Sequence, residues 1–459
     1  MRRGRRDLTE TLIHLMATPD LILALTAAVE AALAELPQAP VWIGFSGGVD
    51  SSTLLACAAA SQQVRARGLH ALHVNHGLHA DADRWADHAL AVALRLEVPC
   101  TLVRVSVSAR GRGIEAAARD ARHAAFAAAL TPGAALLLAH HRDDQAETVL
   151  LRMLRGASVD GLGAMRPRRA IGPGWLLRPW LAQPRAAIVA AANDLGIEWV
   201  EDPANRDHQH DRSYLRQQVW PLLAARFPAL GERLARLADH AASVSDELEQ
   251  AAARVLDQLI GSDPNTLAIP GLLTLGDALF GAVVRRFARE LGVAPPGFHE
   301  LARLRREVLL AAVDGNPVLR WDGHEFRRYR EVLYLLPQAA TLPAPAAWVE
   351  WPAGSSAIEL PGGLGRLRAV DGDGQPARVP TALGVRWRRG GERLRPTGSA
   401  HTRELRLIFQ ELGVPPWQRE RVPLLFDGKQ LVAAVGIVVS DRFSQLWPGI
   451  RVEWTSLRD

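Results

Sequence analysis

The chain has 459 residues, 48% hydrophobic and 22% charged, with 54 Lys and Arg against 49 Asp and Glu for a formal net charge of +5. Such a composition belongs to a globular protein, not a disordered or fibrous one, and the length suits about three domains. No apolar run approaches the roughly 18 residues of a membrane span. Two cysteines, Cys57 and Cys100, exclude a disulfide framework or a cysteine-built metal site, so the cytoplasm is the expected compartment.

Residues 1–38 read as a tail and an amphipathic, alanine-rich helix ending near Pro37. The tail is basic (Arg2, Arg3, Arg5, Arg6), but the apolar stretch after it is short and broken by His14, which is not a signal-peptide pattern. Through 39–222, strand-like runs at Val41–Phe45, Leu69–Val74, Thr101–Val107, Ala135–Ala139 and Glu198–Val200 alternate with helical patterns. The helical stretches are Thr53–Gln63, Asp81–Leu96, Ile114–Leu130 and Asp144–Leu154. This alternation predicts an α/β domain with a parallel sheet between helices, whose ligands sit beyond the C-terminal strand ends.

The first such strand empties into Ser46-Gly47-Gly48-Val49-Asp50-Ser51-Ser52. A glycine–serine turn at a helix N-terminus is a phosphate site: the first helical N–H groups are unpaired and the dipole favours an anion. Adjacent glycines let backbone approach the anion, the serines add hydroxyl donors, and Asp50 is an oxygen ligand suited to nucleotide-bound Mg²⁺. The Walker pattern is absent, because the chain's one lysine is Lys429, and the paired glycines do not fit the G-x-G-x-x-G dinucleotide fingerprint.

Farther on, His140-His141-Arg142-Asp143-Asp144-Gln145-Ala146-Glu147 opens a helix after another strand. Asp144 and Glu147 are three apart and share a helical face. By itself the segment fits helix capping with a satisfied histidine pair, or a metal site. Glu115, Arg119 and Arg122 recur at helical spacing, and Glu201–Asp207 followed by Asp211–Arg216 is a polar turn before a helix. Residues 223–337 read as a helical middle domain closing on a strand-like tail, Glu325–Leu336. Residues 338–385 are a Pro/Gly-rich connection or the start of the last domain, and 386–459 a small mixed α+β domain.

The glycine loop resembles the signature of the ATP pyrophosphatases. Joined in this order with His73–Leu78, His140–Glu147, Arg178-Pro179-Trp180-Leu181, Asp202–Asn205, Arg212–Arg216, Arg327–Arg330, Arg388–Pro396 and Val414–Trp417, it resembles the tRNA(Ile)-lysidine synthetase family. The resemblance implies an adenine nucleotide alpha hydrolase-like, Rossmann-like catalytic domain followed by two tRNA-binding domains. It implies ATP-dependent ligation of free L-lysine to C2 of the wobble cytidine in an isoleucine tRNA with a CAU anticodon. Ser46 to Ser52 would bind ATP, with Asp50 on Mg²⁺; His140, Asp144 and Glu147 would serve lysine binding and catalysis; Arg119 and Arg212 would contact phosphate or the adenylated intermediate. Asn75 and Ser213 depart from the family's usual residues. Oligomeric state stays open, a homodimer being one option, as does initiation at Met1 or Met16. The alternatives are a tRNA thiolase of the same superfamily, against which the cysteine positions argue, and an inactive tRNA-binding module.

Overall fold

The computed structural model describes residues 18–107, 113–200, 211–312, 315–338, 348–361 and 364–455. The N-terminal tail, Asp202–Asn205 and the side chain of Glu115 lie outside the description. Two compact units divide the chain, residues 1–251 and 252–459.

The first unit begins with helix α1 (Thr18–Ala34), strand β1 (Val41–Gly44) and helix α2 (Val49–Ala60). Strand β2 (Leu69–Asn75), helix α3 (Ala82–Arg95), strand β3 (Cys100–Arg104), helix α4 (Ile114–Ala129) and strand β4 (Ala135–Leu137) follow. Helix α5 (Arg142–Leu154), hairpin strands β5 (Arg168–Ile171) and β6 (Gly174–Leu177), and helix α6 (Arg185–Asp194) complete the sheet region. The strand order is β3-β2-β1-β4-β6-β5. All neighbours are parallel except the β5–β6 pair.

Both sheet faces are buried, as parallel sheets require. Val41, Ile43 and Leu137 point into one core with Leu25, Val29 and Leu33 of α1 and Leu54, Leu55 and Ala58 of α2. Leu72, Leu136 and Leu176 point the other way, against Phe126 and Leu130. The two-residue alternation of strands puts neighbouring apolar residues in separate cores, so the central strands β1 and β4 are apolar on both faces.

The expected strand at Glu198–Val200 does not form. Its place beyond β4 is taken by the β5–β6 hairpin, and Val200 instead donates one backbone hydrogen bond to the Gly47 carbonyl (3.1 Å). The hairpin escapes sequence reading because its edge strand opens on two exposed arginines. Arg168 there lies over the Trp175 ring, 3.9 Å from its centroid. Gly174 permits the pairing, since a Cβ there would overlap the Ala134 carbonyl oxygen.

In the second unit, Thr266–Ala268, Val332–Pro337, His324–Tyr329 and Val318–Trp321 form, in that order, a four-stranded antiparallel sheet packed against the helical turn Leu304–Leu309. The expected tail Glu325–Leu336 is thus two paired strands, reversing at Arg330 (φ 55°). The Pro/Gly-rich stretch also contributes strands. Val349–Trp351 pairs with Leu383–Arg386, and Arg366–Val370 with Arg451–Thr455, around a core that includes Trp351, Trp387 and Trp447.

Candidate active site

Strand β1 has β2 on one side and β4 on the other, so the chain's winding reverses between β1 and β4. In open α/β sheets the ligand crevice lies beyond the carboxyl ends of such a strand pair. The glycine loop leaves the end of β1, and His140 and His141 leave the end of β4. The topology therefore brings together two segments that lie about ninety residues apart in sequence.

Helix α2 starts at Val49, earlier than the expected Thr53, which places Asp50, Ser51 and Ser52 in its first turn. Gly48 is the N-cap, its own N–H reaches Ser46 Oγ (3.4 Å), and it has no side chain to cap the N–H groups of the first turn. Gly47 adopts φ 81°, a left-handed turn that favours glycine. Ser46 and Ser51 brace the loop through their hydroxyls (3.0 Å), and Ser51 also donates to the Gly48 carbonyl (3.1 Å). His73 Nδ1 holds the Phe45 carbonyl (2.9 Å) from β2. The Ser52 hydroxyl and Asp50 Oδ1 are buried without a hydrogen-bond partner. Burial raises the Asp50 carboxyl above its ordinary range, against the pull of His141 and Arg185, whose Nε is 3.6 Å from Oδ1. Orphaned buried oxygen atoms beside an uncapped helix end suit a nucleotide-bound Mg²⁺, which takes most of its ligands from phosphate and water. Among the described residues no group of three or more His, Cys, Asp or Glu forms a self-sufficient metal site.

His141 joins the loop to the second segment. It caps α5 reciprocally with Asp144: Asp144 N–H donates to His141 Nδ1 (3.3 Å), and His141 N–H donates to Asp144 Oδ2 (3.2 Å). With Nδ1 accepting, Nε2 carries the proton and faces Asp144 Oδ2 at 3.2 Å and Asp50 Oδ2 at 3.9 Å. Asp144 and Glu147 are both buried. Two arginines meet them, carried by a helical turn, Asp211–Tyr214, that widens into a π-helical turn over Leu215–Val219. Arg212 donates to Glu147 Oε2 (3.1 Å) and Asp144 Oδ1 (3.0 Å). Arg216 donates to Glu147 Oε1 (2.6 Å) and Oε2 (2.8 Å) and to Asp144 Oδ1 (2.9 Å). Burial alone would raise the Asp144 carboxyl; His141, Arg212, His140 and Arg216 outweigh it and hold the group below the usual carboxylate range. Burial opposes the Arg216 charge, yet the hydrogen bonds and charges of Glu147 and Asp144 raise its pKa.

His140 sits differently from its neighbour. Arg178 Nε donates to its Nδ1 (3.1 Å), and Arg178 also binds the Arg166 carbonyl (2.7 Å). Burial, with Arg178 and Arg212 adding to it and Asp144 opposing, lowers the His140 pKa to about 3, so the ring is neutral with its lone pair occupied. Arg119 stands exposed on α4 and makes no direct bond to the glycine loop among the described residues. Its charge reaches Arg122, Arg169, Arg178 and His123, a cationic patch at the same sheet end.

A PP-loop domain family model matches residues 23–223, a TilS substrate binding domain residues 267–334, and a TilS substrate C-terminal domain residues 383–454. A tRNA(Ile)-lysidine synthase of Xanthomonas axonopodis pv. citri is 44% identical over 413 residues, covering 88% of this chain and 91% of that protein. The chain belongs to the tRNA(Ile)-lysidine synthase family. Within that family, the enzyme of Xanthomonas campestris pv. campestris is 42% identical over 92% of this chain and 96% of its own length. The enzyme of Serratia proteamaculans is 41% identical over 87% and 91%.

Four residues of the site went unread as site residues in the sequence: His141, Arg178, Arg185 and Arg216. His141 directly precedes a helix, the one available signal of a cap. Arg216 lies four residues after Arg212, one helical turn on, but its partners are 69 and 72 residues away. Asn75 spans a turn by accepting from Gly77 N–H (2.8 Å) and donating to Asp83 (2.9 Å). The two thiols are poor sulfur carriers: burial pushes both Cys57 and Cys100 up to about 11. No described helix is long and apolar enough to cross a membrane.

Proposed function

We propose that the protein, an ATP-dependent ligase of tRNA modification by family, joins free L-lysine to C2 of the wobble cytidine in an isoleucine tRNA with a CAU anticodon. The observation that carries this reading is the meeting of an uncapped glycine loop and a buried carboxylate pair at one switch point, linked through His141. ATP use follows from the PP-loop domain. The C2 oxygen of cytidine attacks the α-phosphate of ATP, forming an adenylate ester and releasing pyrophosphate. The lysine ε-amine then forms the new C2–N bond, AMP leaves with the C2 oxygen, and the amine sheds its protons.

Positioning and charge neutralisation dominate a phosphoryl transfer of this kind. The N–H groups opening α2 and the Ser46, Ser51 and Ser52 hydroxyls cradle the departing pyrophosphate. Arg185, at the mouth of the loop, adds a cation. Asp50 would hold Mg²⁺, which supplies further neutralisation of phosphate charge when bound. Asp144 and Glu147 seat the lysine ammonium, whose free pKa is about 10.4 and which must lose a proton before it attacks. Neither histidine offers a free lone pair, since Arg178 occupies His140 Nδ1 and the Asp144 N–H occupies His141 Nδ1. The carboxylates are the proton acceptors in this arrangement. Arg119 and Arg212 contact phosphate of the adenylated intermediate.

The deciding assay combines the protein, ATP, Mg²⁺, labelled lysine and an isoleucine tRNA with a CAU anticodon. Label appears in the tRNA with AMP and pyrophosphate in equal amounts. Transfer of sulfur or of another amino acid, with no lysine incorporated, would overturn the assignment.

A further inference from the structure

Two of the stretches that tie the chain to its family, Arg327–Arg330 and Val414–Trp417, belong to neither the glycine loop nor the acid cluster. The fold of the second unit brings them together. Tyr329 ends the strand His324–Tyr329, and Tyr334 stands on the strand paired with it. Both rings meet Trp417 edge-on, with centroids 6.2 and 5.2 Å away and interplanar angles of 84° and 78°. Aromatic quadrupoles favour that arrangement. The Arg327 guanidinium, anchored to the buried Glu325 (2.6 Å), lies 5.3 Å from the Trp417 ring centroid. Arg419, two residues after Trp417, donates to the Tyr329 hydroxyl (3.2 Å) and to the Val414 carbonyl (2.7 Å). Arg330 donates to the Gln410 carbonyl (2.6 Å), in the last turn of helix Leu405–Glu411, where the helix dipole favours a cation. These contacts cross from the domain matched over 267–334 to the one matched over 383–454.

Arg330 carries the sharper clue. It sits at the reversal of its hairpin with φ 55°, in the left-handed region that glycine or asparagine fills with less strain. A residue held there persists only where its surroundings enforce it, and the side-chain bond that does so reaches the other domain. Gly413 makes room for the guanidinium: its φ is 73°, and a Cβ there would come within 3.2 Å of Arg330 Nη1. We propose that Tyr329, Arg330 and Trp417 are positioning residues that latch the two substrate domains into one body, so that both meet the tRNA at a fixed spacing. The inference rests on the reading of both domains as tRNA-binding. Two modules that grip one ligand hold it more tightly when their separation is set beforehand, because the cost of ordering them then falls on folding and not on binding.

Arg330→Gly tests the latch with little risk to the fold, because glycine accepts φ 55° while the cross-domain bond is lost. In the full-length protein, this variant and Trp417→Ala should each raise the KM for the isoleucine tRNA about tenfold, with kcat and the KM for lysine within about twofold of wild type. Small-angle X-ray scattering of the free variants should give a larger radius of gyration than the wild type. Trp417→Phe keeps a ring and loses no hydrogen bond, since Trp417 Nε1 has no partner among the described residues, and it should keep the wild-type KM for tRNA. An unchanged KM for tRNA in Arg330→Gly or in Trp417→Ala would overturn the latch, whatever the scattering shows. A fall in kcat with that KM unmoved would overturn it too, because loss of folded protein alone produces that result. A wild-type protein that retains no isoleucine tRNA on filters would instead remove the reading beneath the proposal.

Discussion

The glycine loop and the acid–arginine cluster sit at the same switch point but are built in opposite ways. The loop is local. Its side-chain bonds join residues no more than five apart, Ser46 to Ser51, with distant help at the backbone carbonyls of Phe45 and Gly47, and its anion-binding capacity comes from backbone that any uncapped helix end provides. The cluster is assembled from a distance, with Asp144 and Glu147 on α5 meeting arginines 65 to 72 residues farther along the chain. A local site keeps its geometry as long as its strand and helix form. A distant one depends on the fold, and its charges must balance one another even without substrate.

Four substitutions bear on that contrast. Asp50→Ala should abolish lysine transfer, by about 10³-fold or more in AMP release, while tRNA retention on filters is preserved. Unchanged turnover would remove the loop from the chemistry. Glu147→Gln should lower transfer about 10²-fold and also cost about 1–2 kcal/mol in denaturant unfolding, since it breaks bonds to two partly exposed arginines. Equal loss of stability from Asp50→Ala would erase the distinction between a local site and a charge-balanced one.

His140 predicts a pH effect. Its folded pKa is depressed to about 3, so the unfolded chain binds the proton more readily. Its contribution is present above about pH 6.5 and is lost progressively as pH falls toward 3, on the order of 5 kcal/mol at most. His123, lowered to about 4 by burial with Arg169 and Arg119 adding to it, acts in the same direction. His140→Gln keeps an acceptor for Arg178 and should flatten the acid limb of the melting-temperature profile without removing it. Gly47→Ala is the mildest change. A Cβ there meets nothing closer than Ala89 Cβ at 3.7 Å, so the cost is the φ of 81° alone, about 1 kcal/mol by thermal melting.

Much of the first unit was legible because its central strands are short, mostly apolar and separated by strong helical patterns. Val41–Gly44 and Leu69–Asn75 formed close to where apolar runs predicted them. The β5–β6 hairpin was not legible, since Arg168 and Arg169 present an edge strand as a polar loop. Glu198–Val200 looked like a strand because local apolarity carries no information about which sheet position is still vacant. In the site, the serines, glycines and Asp50 were readable as one contiguous motif. His141 was not, because its role depends on reaching Asp50 across the crevice.

The sequence by itself determined the chemistry on offer: an uncapped helix end preceded by two glycines, an acid pair one helical turn apart, and the motifs that tie the chain to its family. These follow from covalent neighbours and helical periodicity, which a linear reading contains. Tertiary structure alone decided which charges meet. Strand order set β1 beside β4, and packing brought the Asp211–Val219 segment over α5 so that Arg212 and Arg216 neutralise Asp144 and Glu147. Coulomb interactions depend on distance through space, and distance through space is what a sequence does not state.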